Sequence, residues 1–309
     1  MAKGILAAAG VVVLTICGAA LPEEVDRPLR RPVVFSYSYP WASTKNPNAG
    51  WTDPDFLDFE RVRLSTANMV DRVDVAKFLA HWRTPRNRIL ARTSCGEKDW
   101  SAERIVAAWD KALQAEGIDG MAMDEFIGRQ VTAERMKRWI GSIEEIRRRH
   151  PKKVLAFWTD SGLGRAKNGV QAHRPLLVAL RDHADFVMPE IYYRESTARD
   201  FAASADPFPA FRAKVQEWEA AAPGITPKIL MGLGTVQNAD WAYDNRDDID
   251  YGDFLAKQIE VCATDPVLKK MAGLALYAPG YLRPETLTRV NDAIIRFYAL
   301  AGENRLRRK

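Results

Sequence analysis

Short apolar runs alternate with longer stretches in which apolar residues recur every three or four positions, from residue 33 onward. The short runs have the length of buried strands, and the longer stretches have the period of amphipathic helices. The runs predict eight strands, over residues 33–37, 68–73, 88–93, 118–124, 153–159, 185–191, 228–234 and 273–277. The stretches that follow them predict eight helices, over residues 53–66, 74–82, 101–116, 132–150, 175–183, 209–221, 251–262 and 284–301.

This alternation predicts an α/β fold in which a single (β/α)8 barrel, or TIM barrel, spans residues 31–303. Strands separated by helices pair in parallel through right-handed crossovers, and eight is the number that closes the ring. The chain has 309 residues, which suits one such barrel and short flanking segments. The alternative is an open, doubly wound sheet, which normally has a glycine-rich turn after its first strand. Residues 36–41 contain no glycine.

The beginning of the chain has the features of a secretion signal. Lys3 supplies a positive charge, residues 5–16 are almost continuously apolar, and small residues precede a cleavage site after Ala20. The apolar run is shorter than the ~20 residues that span a bilayer. We therefore expect residues 1–20 to be a signal peptide and the mature protein to be exported, either periplasmic or secreted, without stable membrane insertion. An uncleaved anchor and a lipoprotein modified at Cys17 are the alternatives.

Charge and composition narrow the range of partners. The net charge of +5 is small for this length, and the basic residues are spread along helices except in the tail over 304–309. Such a tail is usually a solvated end, so we expect no nucleic-acid partner. Beyond the leader the chain has two cysteines, Cys95 and Cys262, which we expect to be unpaired thiols, with a disulfide as the alternative. We expect a monomer.

Acidic residues stand at the carboxyl ends of three consecutive predicted strands. Asp124 and Glu125 end the fourth, Asp160 follows the fifth, and Glu190 ends the sixth. A barrel places its chemistry at this end of its strands. No Ser-His-Asp order, P-loop or nucleotide-binding fingerprint competes with these acids.

Side-chain alternation predicts where these acids point. Asp124 shares its face with two small residues, Gly120 and Ala122, which suits a crowded barrel interior. Glu125 shares its face with two methionines, which would direct it toward the rim. Glu190 shares its face with large apolar residues, so size does not decide its direction.

Two convergent carboxylates are what the cleavage of a glycosidic bond requires, because one donates a proton and the other attacks the sugar or activates water. Environments that push the two pKa values apart let them divide these roles. We therefore predict Asp124, Glu190 and Glu125 as catalytic candidates, with Glu190 as acid/base and Asp124 as nucleophile or stabiliser. The alternatives are a buried structural Asp124 bonded to backbone amides or an arginine, a structural Glu190, and a rim salt bridge for Glu125.

Aromatic residues cluster at the same end of the predicted strands. Sugar rings pack their C–H faces on aromatic faces, while their hydroxyl groups need polar partners. The alternative is hydrophobic packing within long loops, and for Asp160 a loop or capping role. The predicted substrate-binding residues are Tyr37, Tyr39, Trp41, Trp158, Asp160, Tyr192, Trp241 and Tyr277. Tryptophans inside predicted helices are expected to belong to the core, and these are Trp82, Trp109, Trp139 and Trp218.

We expect neither a metal nor a cofactor. The four histidines lie in predicted helices or loops away from strand ends, and no cysteine has a CxxC neighbour. The acidic segment 244–250 lacks the pattern of a calcium loop, and Asp250 is better placed to cap a helix. Two other functions remain open: a barrel that binds carbohydrate without catalysis, and a metal-assisted hydrolase.

The segment 117–125, Gly-Ile-Asp-Gly-Met-Ala-Met-Asp-Glu, resembles the fourth-strand signature of glycoside hydrolase family 114 and its relatives, the endo-α-1,4-polygalactosaminidase-like barrels. The resemblance implies that Asp124 and Glu190 form the catalytic pair and that the substrate is an amino-sugar exopolysaccharide. Chitinase-like family 18 enzymes share part of this pattern, but their acid stands two residues beyond an aspartate. Clan A glycosidases carry a glutamate at the seventh strand, which ends here in Gly-Thr.

Overall fold

The computed structural model describes residues 29, 31–37, 65–70, 87–94, 100–126, 131–159, 170–198, 200–237 and 248–298. Within them, eight strands carry the sheet: β1 (Val33–Tyr37), β2 (Ser65–Val70), β3 (Asn87–Ser94), β4 (Gly120–Phe126), β5 (Val154–Thr159), β6 (Phe186–Pro189), β7 (Leu230–Gly234) and β8 (Gly273–Tyr277). The described helices are α1 (Ala102–Leu113), α2 (Ala133–Arg149), α3 (Arg174–His183), α4 (Pro209–Ala221), α5 (Tyr251–Thr264) and α6 (Pro284–Tyr298).

The sheet closes into a barrel, as the sequence predicts. All ladder pairs are parallel, in the order β6-β5-β4-β3-β2-β1-β8-β7. Two further parallel bridges, Val187 to Ile229 and Glu190 to Gly232, join β6 to β7 and complete the ring. The fold is therefore a (β/α)8 barrel. The predicted leader and basic tail lie outside the described residues, and no described helix has the length and apolar character needed to span a membrane.

The predicted bounds of the described elements hold to within three residues. β1, β8 and α4 have the predicted bounds, but β2 begins at Ser65 instead of residue 68. The prediction of helix over 53–66 was therefore wrong at its last two residues. Ala67 and Met69 alternate into the barrel interior, so strand pairing starts earlier, and the strand ends at Val70 before a charged pair. The rest of that helix and the helix over 74–82 lie outside the described residues.

Two hydrophobic cores sandwich the sheet. The first fills the barrel interior with alternate strand residues, including Phe35, Met69 and Leu90. The second lies between the sheet and the surrounding helices. The predicted core tryptophans Trp109, Trp139 and Trp218 are buried there, whereas Trp82 lies outside the described residues. Cys262 is a buried free thiol in α5, and Cys95 also lies outside the described residues.

The amino-terminal end of the barrel carries a repeated arrangement of charged side chains. Asp119 before β4 and Asp185 before β6 each accept the backbone N–H of a residue in the preceding strand, at 2.8 Å. Lys153 before β5 and Lys228 before β7 each donate to a backbone carbonyl that precedes the neighbouring strand, at 2.6 Å. These side chains satisfy backbone groups that the strand ends leave open. Asp119 therefore has a structural place at this end.

Candidate active site at the carboxyl end of the barrel

Asp124 lies at a β-bulge near the end of β4. Met123 pairs with Phe157 of β5, and Phe126 pairs with Thr159, so Asp124 and Glu125 together face one residue of β5. β4 has the predicted length but begins and ends two residues later than the sequence predicts, and the ladder resumes after this bulge. A bulge of this kind redirects side chains and is frequent beside active sites.

The residues around Asp124 on β4 face two different sides of the sheet. Ala122 belongs to the interior core, whereas Met123 and Phe126 belong to the outer core. Phe126 packs on Trp139, with ring centroids 4.9 Å apart. The position two residues beyond Asp124 therefore holds a fully buried phenylalanine that faces the helices. Glu125 lies within the bulge, and its side chain lies outside what the structure describes.

Two side chains, one from β1 and one from β3, hold one oxygen of Asp124. The Tyr37 hydroxyl donates to Oδ2 at 2.5 Å. Arg92 donates to the same oxygen through Nη2 at 2.5 Å and through Nε at 3.1 Å. The Asp124 side chain is 11% exposed. Within the described part of the chain, Oδ1 accepts no hydrogen bond.

Arg92 is a site residue that the sequence analysis missed. It lies on β3, two residues after Leu90, whose side chain is in the barrel interior. Alternation therefore places Arg92 on the interior face at the carboxyl end of its strand. Its side chain is 43% exposed, and its guanidinium carbon lies 5.7 Å from the centre of the Tyr37 ring. The alternation itself was the signal that could have found it.

The Tyr37 hydroxyl is held in its neutral form. Burial raises its pKa above the ordinary value for tyrosine, and the hydrogen bond to the Asp124 carboxylate raises it further. Tyr37 is therefore a hydrogen-bond donor to Asp124 throughout the physiological pH range. The sequence predicted it as a substrate-binding residue, and the structure places its hydroxyl on the candidate catalytic acid.

Four of the predicted substrate-binding aromatics form one cluster above the interior core. The Tyr37 ring lies 4.9 Å from Tyr277 and 5.2 Å from Trp158, and Tyr192 stacks on Tyr277 at 5.1 Å. Trp158 donates from Nε1 to the Tyr192 hydroxyl at 2.9 Å and has no exposed surface. The cluster thus joins the ends of β1, β5 and β8 with the segment that follows β6.

Glu190 lies directly after β6, where the barrel closes. Its backbone N–H donates to the carbonyl of Thr159 at 3.1 Å, and it forms the bridge to Gly232. Met188 before it and Tyr192 after it both pack with the interior core. Alternation therefore assigns position 190 to the interior face, which the sizes of its neighbours could not decide. Glu190 is half-buried.

The remaining predicted site residues, Tyr39, Trp41, Asp160 and Trp241, lie outside the described residues. No three or more His, Cys, Asp or Glu side chains come together as a metal site in the described ranges. Asp250 caps α5 by accepting the backbone N–H of Asp253 at 3.0 Å, as predicted.

A cleft of about 600 Å³ lies between α4 and the segment 223–227. The one carboxylate that lines it, Glu219, is bonded to that segment.

The structure resembles solved structures of chitinases and of a spore cortex-lytic enzyme. Active domain 2 of a thermostable chitinase from Pyrococcus furiosus, complexed with chito-oligosaccharides, aligns with a TM-score of 0.54 at 11% identity, over 88% of this chain and 96% of that one. The spore cortex-lytic enzyme SleL of Bacillus megaterium aligns with a TM-score of 0.52 at 12% identity, over 86% and 75%. For a chitinase from Chromobacterium violaceum the values are 0.51, 14%, 85% and 99%.

The sequence itself matches no protein-family model and no curated protein. Identities this low show a common fold, so this chain shares the (β/α)8 barrel with these hydrolases.

Proposed function

We propose that this chain is an exported glycoside hydrolase that cleaves a polysaccharide with Asp124 and Glu190. The observation that carries the proposal is the placement of these two positions. Both lie on the interior face at the carboxyl end of the barrel, Asp124 in β4 and Glu190 directly after β6, with the aromatic cluster beside them. That end is where barrel enzymes hold their catalytic groups.

The hydrogen bonds favour a division of roles between the two acids. Asp124 accepts hydrogen bonds at Oδ2 from the Tyr37 hydroxyl and from the Arg92 cation. Asp124 then acts as the nucleophile or stabiliser of the positively charged sugar in the transition state. Glu190 donates a proton to the leaving oxygen and afterwards accepts one from water. Glu125, in the bulge next to Asp124, is the alternative partner.

An amino-sugar polysaccharide is the proposed substrate class. The resemblance of the fourth strand implies such a substrate, and solved structures with the same fold include a chitinase complexed with chito-oligosaccharides. Tyr192 and Tyr277 provide stacked rings on which sugar faces can pack. Tyr39, Trp41, Asp160 and Trp241 are proposed to extend this surface.

Conversion of either acid to its amide tests the assignment. Asp124→Asn and Glu190→Gln should each lower turnover by about 10²–10⁴-fold, because each removes an acid or base that acts in the transition state. Product release from N-acetylglucosamine hexasaccharide, partially de-N-acetylated chitosan and poly-galactosamine is measured by chromatography. Glu134→Gln is the matched control, because that side chain is 82% exposed on α2.

The same experiment separates the alternatives. Full activity of both amide variants contradicts the catalytic assignment. Asp124→Asn that keeps turnover but unfolds more easily identifies Asp124 as a structural acid paired with an arginine. Binding of these glycans without any product identifies a carbohydrate-binding barrel, and inactivation by a chelator identifies a metal-assisted hydrolase.

A further inference from the structure

Asp124 is held by side chains rather than by the backbone of its own strand. The bulge at Asp124 and Glu125 interrupts the ladder between β4 and β5, so the regular alternation of β4 does not by itself fix the direction of the carboxylate. The contacts that fix it come from β1 and β3, on which Tyr37 and Arg92 lie.

The two contacts act on a single oxygen. Arg92 approaches Oδ2 with two nitrogens, and Tyr37 approaches it with a neutral hydroxyl. Arg92 also lies against the Tyr37 ring, so the two side chains restrain each other. The carboxylate keeps Oδ1, which accepts no hydrogen bond from the described residues, for a reacting group.

We infer that Arg92 and Tyr37 are positioning residues that orient Asp124 for the reaction, and this inference rests on the proposed function. Arg92 fixes the carboxylate by charge and by two hydrogen bonds, and Tyr37 fixes it by one. Neither residue needs to touch the substrate. Misplacement of a reacting group by about 1 Å costs about 10²-fold in rate, so loss of such holders reduces kcat rather than substrate binding.

Substitutions that remove the holders one at a time test the inference. Arg92→Met should lower kcat about 10²-fold and change KM by less than about threefold. Arg92→Lys, which keeps the charge, should recover about tenfold of that loss. Tyr37→Phe, which keeps the ring, should lower kcat about tenfold. The double variant should lose much less than the product of the two single losses, because both act on one oxygen.

Arg88→Met is the matched control. Arg88 lies on the same face of β3, four residues earlier and near the other end of the barrel, and its Nη1 donates to the carbonyl of Asn87. Its loss should leave kcat unchanged. Melting temperatures of all variants establish that each is folded when its kinetics are measured.

The hydrogen bonds from Arg92 to Asp124 can also be tested by a measurement that does not depend on turnover. In the ¹H–¹⁵N spectrum of the wild-type protein, the Arg92 Nε–H signal should exchange slowly with water, and in Asp124→Asn this protection should be lost.

Arg92→Met with unchanged kcat overturns the inference. A loss of activity that comes from KM alone also overturns it, because it would make Arg92 a substrate-binding residue. If Asp124→Asn is inactive while Arg92→Met is normal, the inference fails and the proposed function stands. If the wild-type protein cleaves none of the probes, the proposed function fails and the role of Arg92 in turnover fails with it.

Discussion

Gly232 is the residue that lets the barrel close beside Glu190. A Cβ atom at this position would lie 2.5 Å from the carbonyl oxygen of Pro189 and 3.5 Å from the Tyr192 ring. The first of these neighbours is backbone, which cannot move aside as a flexible side chain can. Any larger residue at position 232 therefore pushes β7 away from β6 at the bridge between Gly232 and Glu190.

Gly232→Ala should destabilise the protein by about 1–3 kcal/mol, which is the usual cost of overpacking a well-filled site. It should also lower turnover, because the displaced strand carries the backbone partner of Glu190. Urea unfolding and the glycan assay measure the two effects. Gly141→Ala is the control: Gly141 lies in α2 with nothing within 4 Å of its Cβ position, so this change should stabilise by about 1 kcal/mol. A Gly232→Ala variant with wild-type stability and turnover contradicts the role of the close approach.

The candidate site was predictable from the sequence only as far as strand alternation continues. The structure confirms that Ala122 belongs to the interior core, but beyond Met123 the bulge interrupts the alternation, and the Asp124 carboxylate is held by Tyr37 and Arg92. Arg92 obeys the same rule, but a cation in a strand suggests a solvent-facing position, so its partner on another strand stayed hidden. Pairings between side chains 32 residues apart depend on strand register, which local patterns do not contain.

At the scale of elements, the bounds followed from the pattern and the irregularities did not. Asp250 caps the beginning of α5 as predicted, and Ser101 caps the beginning of α1. The bulge in β4 was not predictable, because it depends on how two residues of β4 meet one residue of β5. The pattern does not predict the early start of β2, because Ser65 and Thr66 are polar and continue the predicted helix over 53–66.

Asp265 links α4, α5 and the segment that follows α5, and its hydrogen bonds predict a pH dependence of the stability of the fold. It caps the end of α5, and Arg212 of α4 donates to its Oδ2 at 2.6 and 2.9 Å. The backbone N–H groups of Val267 and Leu268 donate to its Oδ1 at 2.8 and 3.1 Å. Burial acts to raise the pKa of Asp265, but these hydrogen bonds outweigh it and lower the pKa below the ordinary value.

A depressed carboxylate pKa in the folded state stabilises the protein at pH values above the unfolded pKa of about 3.9, and this contribution disappears as the pH falls through the folded pKa. Asp265→Asn should therefore lower the free energy of unfolding by about 1–2 kcal/mol at pH 7. The difference from the wild-type protein should shrink below pH 4. Urea unfolding at pH 7 and at pH 3 measures it, and a difference that stays constant between these pH values contradicts the assignment.

At the scale of the whole molecule, the two ends of the barrel carry different kinds of charged group. At the amino-terminal end, Asp119, Asp185, Lys153 and Lys228 bond to backbone groups of neighbouring strands. At the carboxyl end, Asp124 bonds to side chains from two other strands. Side chains that bond to backbone N–H and carbonyl groups contribute to stability. A carboxylate that is held by other side chains at the carboxyl end remains available for chemistry.

This separation predicts that stability and activity respond to different substitutions. Lys228 is half-buried, and burial lowers its pKa, but its Nζ donates to the carbonyl of Ala184 at 2.6 Å. Lys228→Met should lower the free energy of unfolding by about 1 kcal/mol, because the carbonyl loses its partner, and should leave kcat within about twofold of wild type. Lys153→Met, which removes the equivalent bond before β5, should do the same, and the two losses should add because the bonds share no partner. Urea unfolding and the glycan assay on the same preparations measure both quantities. Both lysine side chains lie at the amino-terminal end of the barrel. A fall in kcat without a fall in stability for either variant would therefore show that the chemistry is not confined to the carboxyl end.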